Sequence, residues 1–234
     1  ASDVYKRQVL KEIVEQEIMT RLGKMGQETL YSAMTHLFKG GGKRLRAILP
    51  RLVAEALGGA NEGHYTLGAS IEIIHNFTLI HDDIIDQDPI RRGLDAVHVA
   101  YDDATAINAG DAMLAVGFEI LAESDKIPNE KLGHIITSIG EMVRKVAEGQ
   151  QEDIEFENRE SVTENEYIAM IAGKTSAMFE TCARTGAILA NADSGSIGGW
   201  VLGATTFTGG NVVLNSAGSI KVGSLANASD AVSY

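Results

Sequence analysis

The chain is short of cysteine, proline, aromatic residues and positive charge. Its single cysteine, Cys182, excludes an internal disulfide, and a lone helical cysteine fits a small buried apolar residue. Twenty Lys and Arg stand against 32 Asp and Glu, a formal net charge of −12. That balance argues against general nucleic-acid binding, which needs a basic surface to neutralise phosphate. It fits a cytoplasmic protein that gathers metal cations locally. No uncharged apolar run approaches the roughly 20 residues of a membrane span, and the N-terminus has no apolar signal core. Strand signals are missing up to about residue 190. A hydrophobic content of 44% over 234 residues supports a real core in one large domain or two small ones.

What is present is helical periodicity. Leu10, Val14, Ile18 and Leu22, then Leu30, Met34 and Phe38, predict a helix over 9–38. Gly40-Gly41-Gly42 ends it, and a second helix follows over 43–57, with Pro50 either kinking it or marking a late start. Further helices are expected over 64–87, 104–122, 131–157 and 164–190, the last behind a capping box at Thr163-Glu-Asn-Glu166. Pro89 with Gly93 marks a loop, and Pro128 a break. The reading is all-α, with six to eight helices over residues 9–194. Residues 195–234 differ: glycine-rich, nearly uncharged, and strand-like over 205–214. They read as a β appendage, a disordered tail or sequence foreign to the domain. The extreme ends, 1–8 and 228–234, resemble flanking sequence and are set aside.

Candidate chemistry starts at His81-Asp82-Asp83-Ile-Ile-Asp86. At about 100° per helical residue, His75 to Asp82 is a net turn of about −20° and Asp82 to Asp86 about +40°, so the three share one stripe with Asp83 beside it. Stacked carboxylates near a helix C-terminus repel one another and oppose the helix dipole. A locally costly arrangement points to a role elsewhere. Hard oxygen ligands with open positions suit Mg2+ shared with substrate phosphates. The plain alternative is a solvated acidic helix end paired with Arg91 and Arg92. Lys43 and Arg46 follow the glycine turn, where free backbone N–H groups and a guanidinium favour a phosphate. Taken alone, that motif is also compatible with an ordinary basic surface turn, and it lacks nucleotide P-loop spacing. Gln150 and Asp153 share a helix face as a polar pair. Lys174 closes an apolar stripe of Tyr167, Met170 and Ile171, which a snorkelling lysine would also do. The adjacent His81-Asp82 pair also occurs in HD-type phosphohydrolases, which need further His and Asp ligands; His36, His64 and His134 read instead as surface or structural, and His98 is given no chemistry.

The ordered set is more specific than any member. Gly41-Gly-Lys-Arg-Leu-Arg46, His75, Asp82-Asp-Ile-Ile-Asp86, Arg91-Arg92-Gly93, Gly110-Asp111, Gly149-Gln150-Gln-Glu-Asp153 and Lys174-Thr175 together resemble the trans-isoprenyl (polyprenyl) diphosphate synthases over about residues 9–194. The resemblance implies an isoprenoid-synthase helical bundle, a homodimer, and condensation of an allylic diphosphate with isopentenyl diphosphate. It assigns Mg2+ to Asp82 and Asp86, with Asp83 in support. Arg91 would contact the allylic diphosphate, completed by Lys174, Thr175 and Gln150. Lys43, Arg46, His75 and Arg92 would hold isopentenyl diphosphate. Cations stabilise the departing pyrophosphate, and an apolar cavity lined by residues such as Ile71, Ile74, Phe77, Thr78 and Met170 keeps water from the allylic carbocation. Phe77 lies about 7.5 Å deeper than Asp82 along the helix, where similar synthases place an aromatic floor. With small Thr78 beside it, the expected product is geranylgeranyl diphosphate first and farnesyl diphosphate second.

The pattern also breaks. The family carries a second aspartate-rich helix, and no DDxxD follows Asp86; beyond residue 190 the acidic residues are Asp193 and Asp230. The chain as it stands is therefore expected to be impaired, as an incomplete piece of such an enzyme. Two other readings remain: a non-catalytic partner subunit of a heteromeric synthase, and a class I terpene cyclase, against which the Gly-Gly-Gly-Lys-Arg-Leu-Arg segment speaks.

Overall fold

Leu10, Val14, Ile18 and Leu22 line one side of the first helix, α1 (Ser2–Leu22), and are almost wholly buried. The computed structural model describes residues 2–190 and, beyond them, the backbone of six short strands between 195 and 233. The helix expected over 9–38 is divided. Turn hydrogen bonds from Gly23, Lys24 and Met25 close α1, and Gln27 caps α2 (Glu28–Thr35) by accepting from the Leu30 N–H. The eight-residue step from Leu22 to Leu30 keeps helical phase, so the apolar pattern runs through a break made by two glycines. Residues 2–8, set aside as flank, continue the same helix.

A short 3-10 turn (His36–Phe38) leads through the glycine loop to α3 (Leu45–Ala56), which contains Pro50 in its interior. Then follow α4 (Gly63–Ile85), a two-residue hairpin of β1 (Ile90–Arg91) and β2 (Leu94–Asp95), α5 (Val97–Ala100) and α6 (Asp103–Ala122). The hairpin is the strand pairing that the sequence did not signal before residue 190; two residues per strand are too few to show alternation.

The chain forms two compact units, Ala1–Ile48 with Glu62–Pro128, and Leu49–Asn61 with Asn129–Tyr234. In the first, α4 packs centrally against α6, and Val14, Ile18, Met34, Ile73, Ile80 and Met113 form the core. By length and composition α6 alone among the described helices could cross a membrane, but it carries Asp111 and Glu119 and turns Met113, Gly117 and Leu121 into this core.

The second unit contains α7 (Asn129–Phe156), α8 (Glu164–Ile171), a π-helical turn (Ala172–Ser176) and α9 (Ala177–Leu189). The single helix expected over 164–190 is thus interrupted. Its capping box is present: Thr163 Oγ1 accepts from the Glu166 N–H, and Glu166 accepts from the Thr163 hydroxyl and N–H. Those hydrogen bonds, with one from Arg159, pull the Glu166 carboxyl down to about 2. Cys182 is buried, as read. Beyond α9 the strands β3 (Gly195–Ile197), β4 (Trp200–Leu202), β5 (Thr206–Gly209), β6 (Val212–Asn215), β7 (Ile220–Val222) and β8 (Val232–Ser233) form an antiparallel meander in chain order. The strand-like stretch at 205–214 supplies β5 and most of β6. Asp193 and Asp230 lie outside the described residues.

Candidate active site

The glycine loop turns sharply because Gly41 and Gly42 take φ of +72° and +141°, conformations that side chains disfavour. Arg44, at φ +49°, is carried inward and buried. Lys43 stays exposed and Arg46 half-buried at the start of α3. From there Arg46 Nη1 approaches Nε2 of His75, on α4, at 3.4 Å. Arg92 reaches the same loop from the hairpin, donating from Nη1 to the Gly41 carbonyl at 3.3 Å. Burial, then the fields of Arg46, Arg92, Arg44 and Arg91, lower His75 to about 3. The imidazole is therefore neutral and accepts from Arg46, among four guanidinium groups. Arg92 is itself lowered, by burial and then by Arg44, with Glu72 acting the other way. A cluster that disfavours its own cations is one an anion would relieve.

The aspartates stand next to it. Asp83 is wholly buried and accepts from Arg91 Nε at 2.7 Å and also from Nη2. This hydrogen bond is the main cause of the raised Arg91 pKa. Arg91 Nη2 also lies 3.9 Å from Asp82 Oδ2 and 3.6 Å from Asp88 Oδ2. The second Asp83 oxygen, Oδ2, is buried without a hydrogen bond among the described residues. Asp82 is half-buried, and Asp86 is exposed at the helix end, its N–H bonded to the Asp82 carbonyl at 2.8 Å. The hairpin thus sends consecutive arginines to different partners, Arg91 to the carboxylates and Arg92 to the glycine loop. Lys43, Arg46, His75, Arg92, Arg91, Asp82, Asp83 and Asp86 all belong to the first unit.

Among the described residues no group of three or more His, Cys, Asp or Glu side chains is placed to hold a metal. Asp82 and Asp86 offer two hard oxygen donors one turn apart. That set fits Mg2+ where phosphate oxygens and water complete the shell. His81 does not add to it: its Nε2 lies 3.3 Å from the Ile107 carbonyl and 3.8 Å from Asp111 Oδ1, with the ring edge-on to Phe77 at 4.9 Å. A phosphohydrolase ligand set around His81-Asp82 is therefore missing among the described residues. His36, bonded to the Asp95 carbonyl at 2.8 Å, and buried His64 are structural. His134 lines an open groove of about 540 Å³ in the second unit that holds none of the expected site residues.

Phe77 packs against the first unit's core while keeping partial exposure, and the Thr78 hydroxyl turns back to the His75 carbonyl at 2.8 Å. Ile71 and Ile74, expected as cavity lining, are instead wholly buried, with Ile74 filling the space beside Gly117 of α6. In the second unit Lys174 Nζ is bonded to Asp153 Oδ2 at 2.6 Å, and Met170 is buried. Lys174 and Thr175 sit in the π-helical turn, a deformation frequent at functional sites. Gln150 has a buried Nε2 without a hydrogen bond among the described residues. The turn packs closely on α7 at Gly149, where a Cβ would stand 2.5 Å from the Lys174 backbone nitrogen. Gly149→Ala is expected to cost about 1–3 kcal/mol by overpacking, measured by urea unfolding; an unchanged midpoint would show that the turn yields freely.

His75 yields a pH prediction. Its folded value, about 3, lies below the ordinary 6.5. The unfolded chain therefore takes up the proton first as pH falls. The stabilisation is fully present above 6.5 and is lost between 6.5 and about 3, at up to about 1.4 kcal/mol per pH unit. Urea unfolding from pH 7.5 to 4.5 should show a steeper acid loss in the parent than in His75→Gln. Parallel slopes would contradict the neutral, arginine-ringed histidine.

Three contributors escaped the sequence reading: Arg44, Glu72 and Glu15. Arg44 Nε pairs with Glu15 Oε1 at 2.8 Å and Nη1 with Glu72 Oε1 at 3.3 Å, while Nη2 donates to the Phe38 carbonyl at 3.2 Å. The available signal was Glu72 itself, a charge within the apolar run Ala69-Ser-Ile-Glu-Ile-Ile74.

Comparison with known proteins places the chain in a family. Residues 27–200 match the family model described as Polyprenyl synthetase. A geranylgeranyl diphosphate synthase of Sulfolobus acidocaldarius is 42% identical over 169 residues, 72% of this chain and 51% of that protein. A geranylfarnesyl diphosphate synthase of Natronomonas pharaonis is 36% identical over 203 residues, 80% of this chain and 59% of that protein. The solved geranylgeranyl pyrophosphate synthetase of Pyrococcus horikoshii superposes with a TM-score of 0.76 at 35% identity, covering 81% of this chain and 59% of that one. The chain spans about half the length of the curated relatives it matches. With three quarters of its residues inside the family model, the chain belongs to the polyprenyl synthetase family.

Proposed function

We propose that the protein is a trans-prenyltransferase that joins an allylic diphosphate to isopentenyl diphosphate, giving a medium-chain product, geranylgeranyl diphosphate first and farnesyl diphosphate second. The observation that carries this reading is neutral His75 held by Arg46 within the field of Arg92, next to the Asp82–Asp83–Arg91 cluster. Two adjoining polar sites of opposite charge suit two diphosphates, one held by cations and the other through a metal. Lys43, Arg46, His75 and Arg92 bind isopentenyl diphosphate. Asp82 and Asp86 hold Mg2+, which neutralises the leaving pyrophosphate when bound. Buried Asp83 fixes Arg91, whose Nη1 stays outside that ion pair and is available to the allylic diphosphate. Lys174, Thr175 and Gln150 serve the allylic substrate as well. Phe77, with Thr78, limits product length. The relatives' names support a geranylgeranyl-range product, and the reading includes a cytoplasmic homodimer.

The test is incubation with labelled isopentenyl diphosphate, an allylic diphosphate and magnesium, followed by product-length analysis. Elongation that disappears in Asp82→Ala supports the enzyme. Elongation that needs a second protein supports a partner subunit instead, and a cyclic hydrocarbon product would point to a cyclase.

A further inference from the structure

The Arg44 ion network plays no part in the assignment above, although it lies beneath the arginine–histidine pocket. Arg44 and Glu72 side chains are 1% and 3% exposed, and Glu72 stands one turn before His75 on α4. Arg44 grips the loop through the Phe38 carbonyl, and its guanidinium lies over the Phe38 ring at 5.1 Å. At Gly42, a Cβ would be 2.9 Å from Arg44 Nη1 and 3.7 Å from Arg92 Cζ. The glycine loop is therefore bracketed by two guanidinium groups, with the Gly41 carbonyl bonded to Arg92. Two like charges that close are tolerable because Glu72 and Glu15 offset Arg44.

We propose that Arg44 and Glu72 are positioning residues for the diphosphate pocket: Arg44 clamps the Gly40–Lys43 loop against Arg92, and Glu72 moderates the pocket's positive charge and so its affinity for diphosphate. The inference rests on the diphosphate reading of Arg46, His75 and Arg92. Glu72 faces Arg44 directly, and its field acts on Arg92. Glutamine at 72 retains an oxygen to accept from Arg44 Nη1, so the clamp survives while the negative charge goes. Methionine at 44 removes the clamp and one positive charge together.

A purely structural network and a positioning network differ in sign. Both Glu72→Gln and Arg44→Met lower the melting temperature in either case. Only the positioning role moves diphosphate affinity in opposite directions. The probe is inorganic pyrophosphate, titrated calorimetrically into the full chain without magnesium, at a temperature where each variant is folded. Glu72→Gln is expected to bind about three- to tenfold tighter, as one unit of repulsion several ångströms away is removed. Arg44→Met is expected to bind about tenfold more weakly. Should Arg44→Met fail to fold, Arg44→Lys, which keeps the charge but cannot span three acceptors with one planar fork, is expected to show a smaller loss. Affinities within twofold of the parent in Glu72→Gln overturn the inference alone. Absence of pyrophosphate binding by the parent chain overturns the diphosphate reading, and the inference with it.

Discussion

Asp82→Ala is expected to weaken magnesium-dependent binding of an allylic diphosphate by at least about 100-fold, equivalent to about 2.7 kcal/mol. Asp82 and Asp86 are one turn apart, and among the described residues no group of three or more His, Cys, Asp or Glu side chains is placed to hold a metal. A metal held there relies on both, so losing one leaves a single protein ligand. Without magnesium the sign reverses, because Asp82 then only repels the phosphates and the variant should bind equally well or slightly better. Calorimetric titration with and without magnesium separates the two cases. Equal losses in both would mean that Asp82 acts through the fold rather than through a metal.

Asp83→Ala should affect stability most. The carboxylate is wholly buried and receives two hydrogen bonds from Arg91. Its removal leaves a guanidinium against Asp82 and Asp88 without its principal partner. The Arg91 side chain is 25% exposed, so the cost falls below that of a fully enclosed pair, at about 2–4 kcal/mol. For a chain of this size that is a fall of roughly 5–15 °C in melting temperature. Adding Arg91→Met should recover part of the loss, since the orphaned charge goes with it. Additive effects in the double variant would show that Asp83 and Arg91 do not act as a pair.

Much of this site was legible in the sequence, because helical periodicity reports geometry directly. The intervals from His75 to Asp82 and Asp86 placed those residues on one stripe of a single helix, and α4 runs unbroken through His75 and Asp82, with Asp86 capping its end. Periodicity over a long window is blind to short interruptions. The break at residues 23–27 and the π-helical turn at Lys174 carry no signal in it for that reason. Pro50 does not delay the start of α3, which begins at Leu45 and contains it. Partner choice is also invisible in one dimension. Arg91 and Arg92 are neighbours in sequence, but the turn with Arg92 at φ +55° and Gly93 at φ +77° sends them to separate partners. Arg44, between Lys43 and Leu45, carries no sequence signal that sets it apart from the cations beside it, and only the fold shows it buried between Glu15 and Glu72.

If Arg46, His75 and Arg92 form a diphosphate site adjoining the Asp82–Asp83–Arg91 cluster, a crystal of the chain soaked with isopentenyl diphosphate should show the ligand there. The expected result is phosphate oxygens within hydrogen-bond distance of Arg46, His75 and Arg92. A diphosphate bound elsewhere, with Arg46 still seated on an undisturbed His75, would rule that site out.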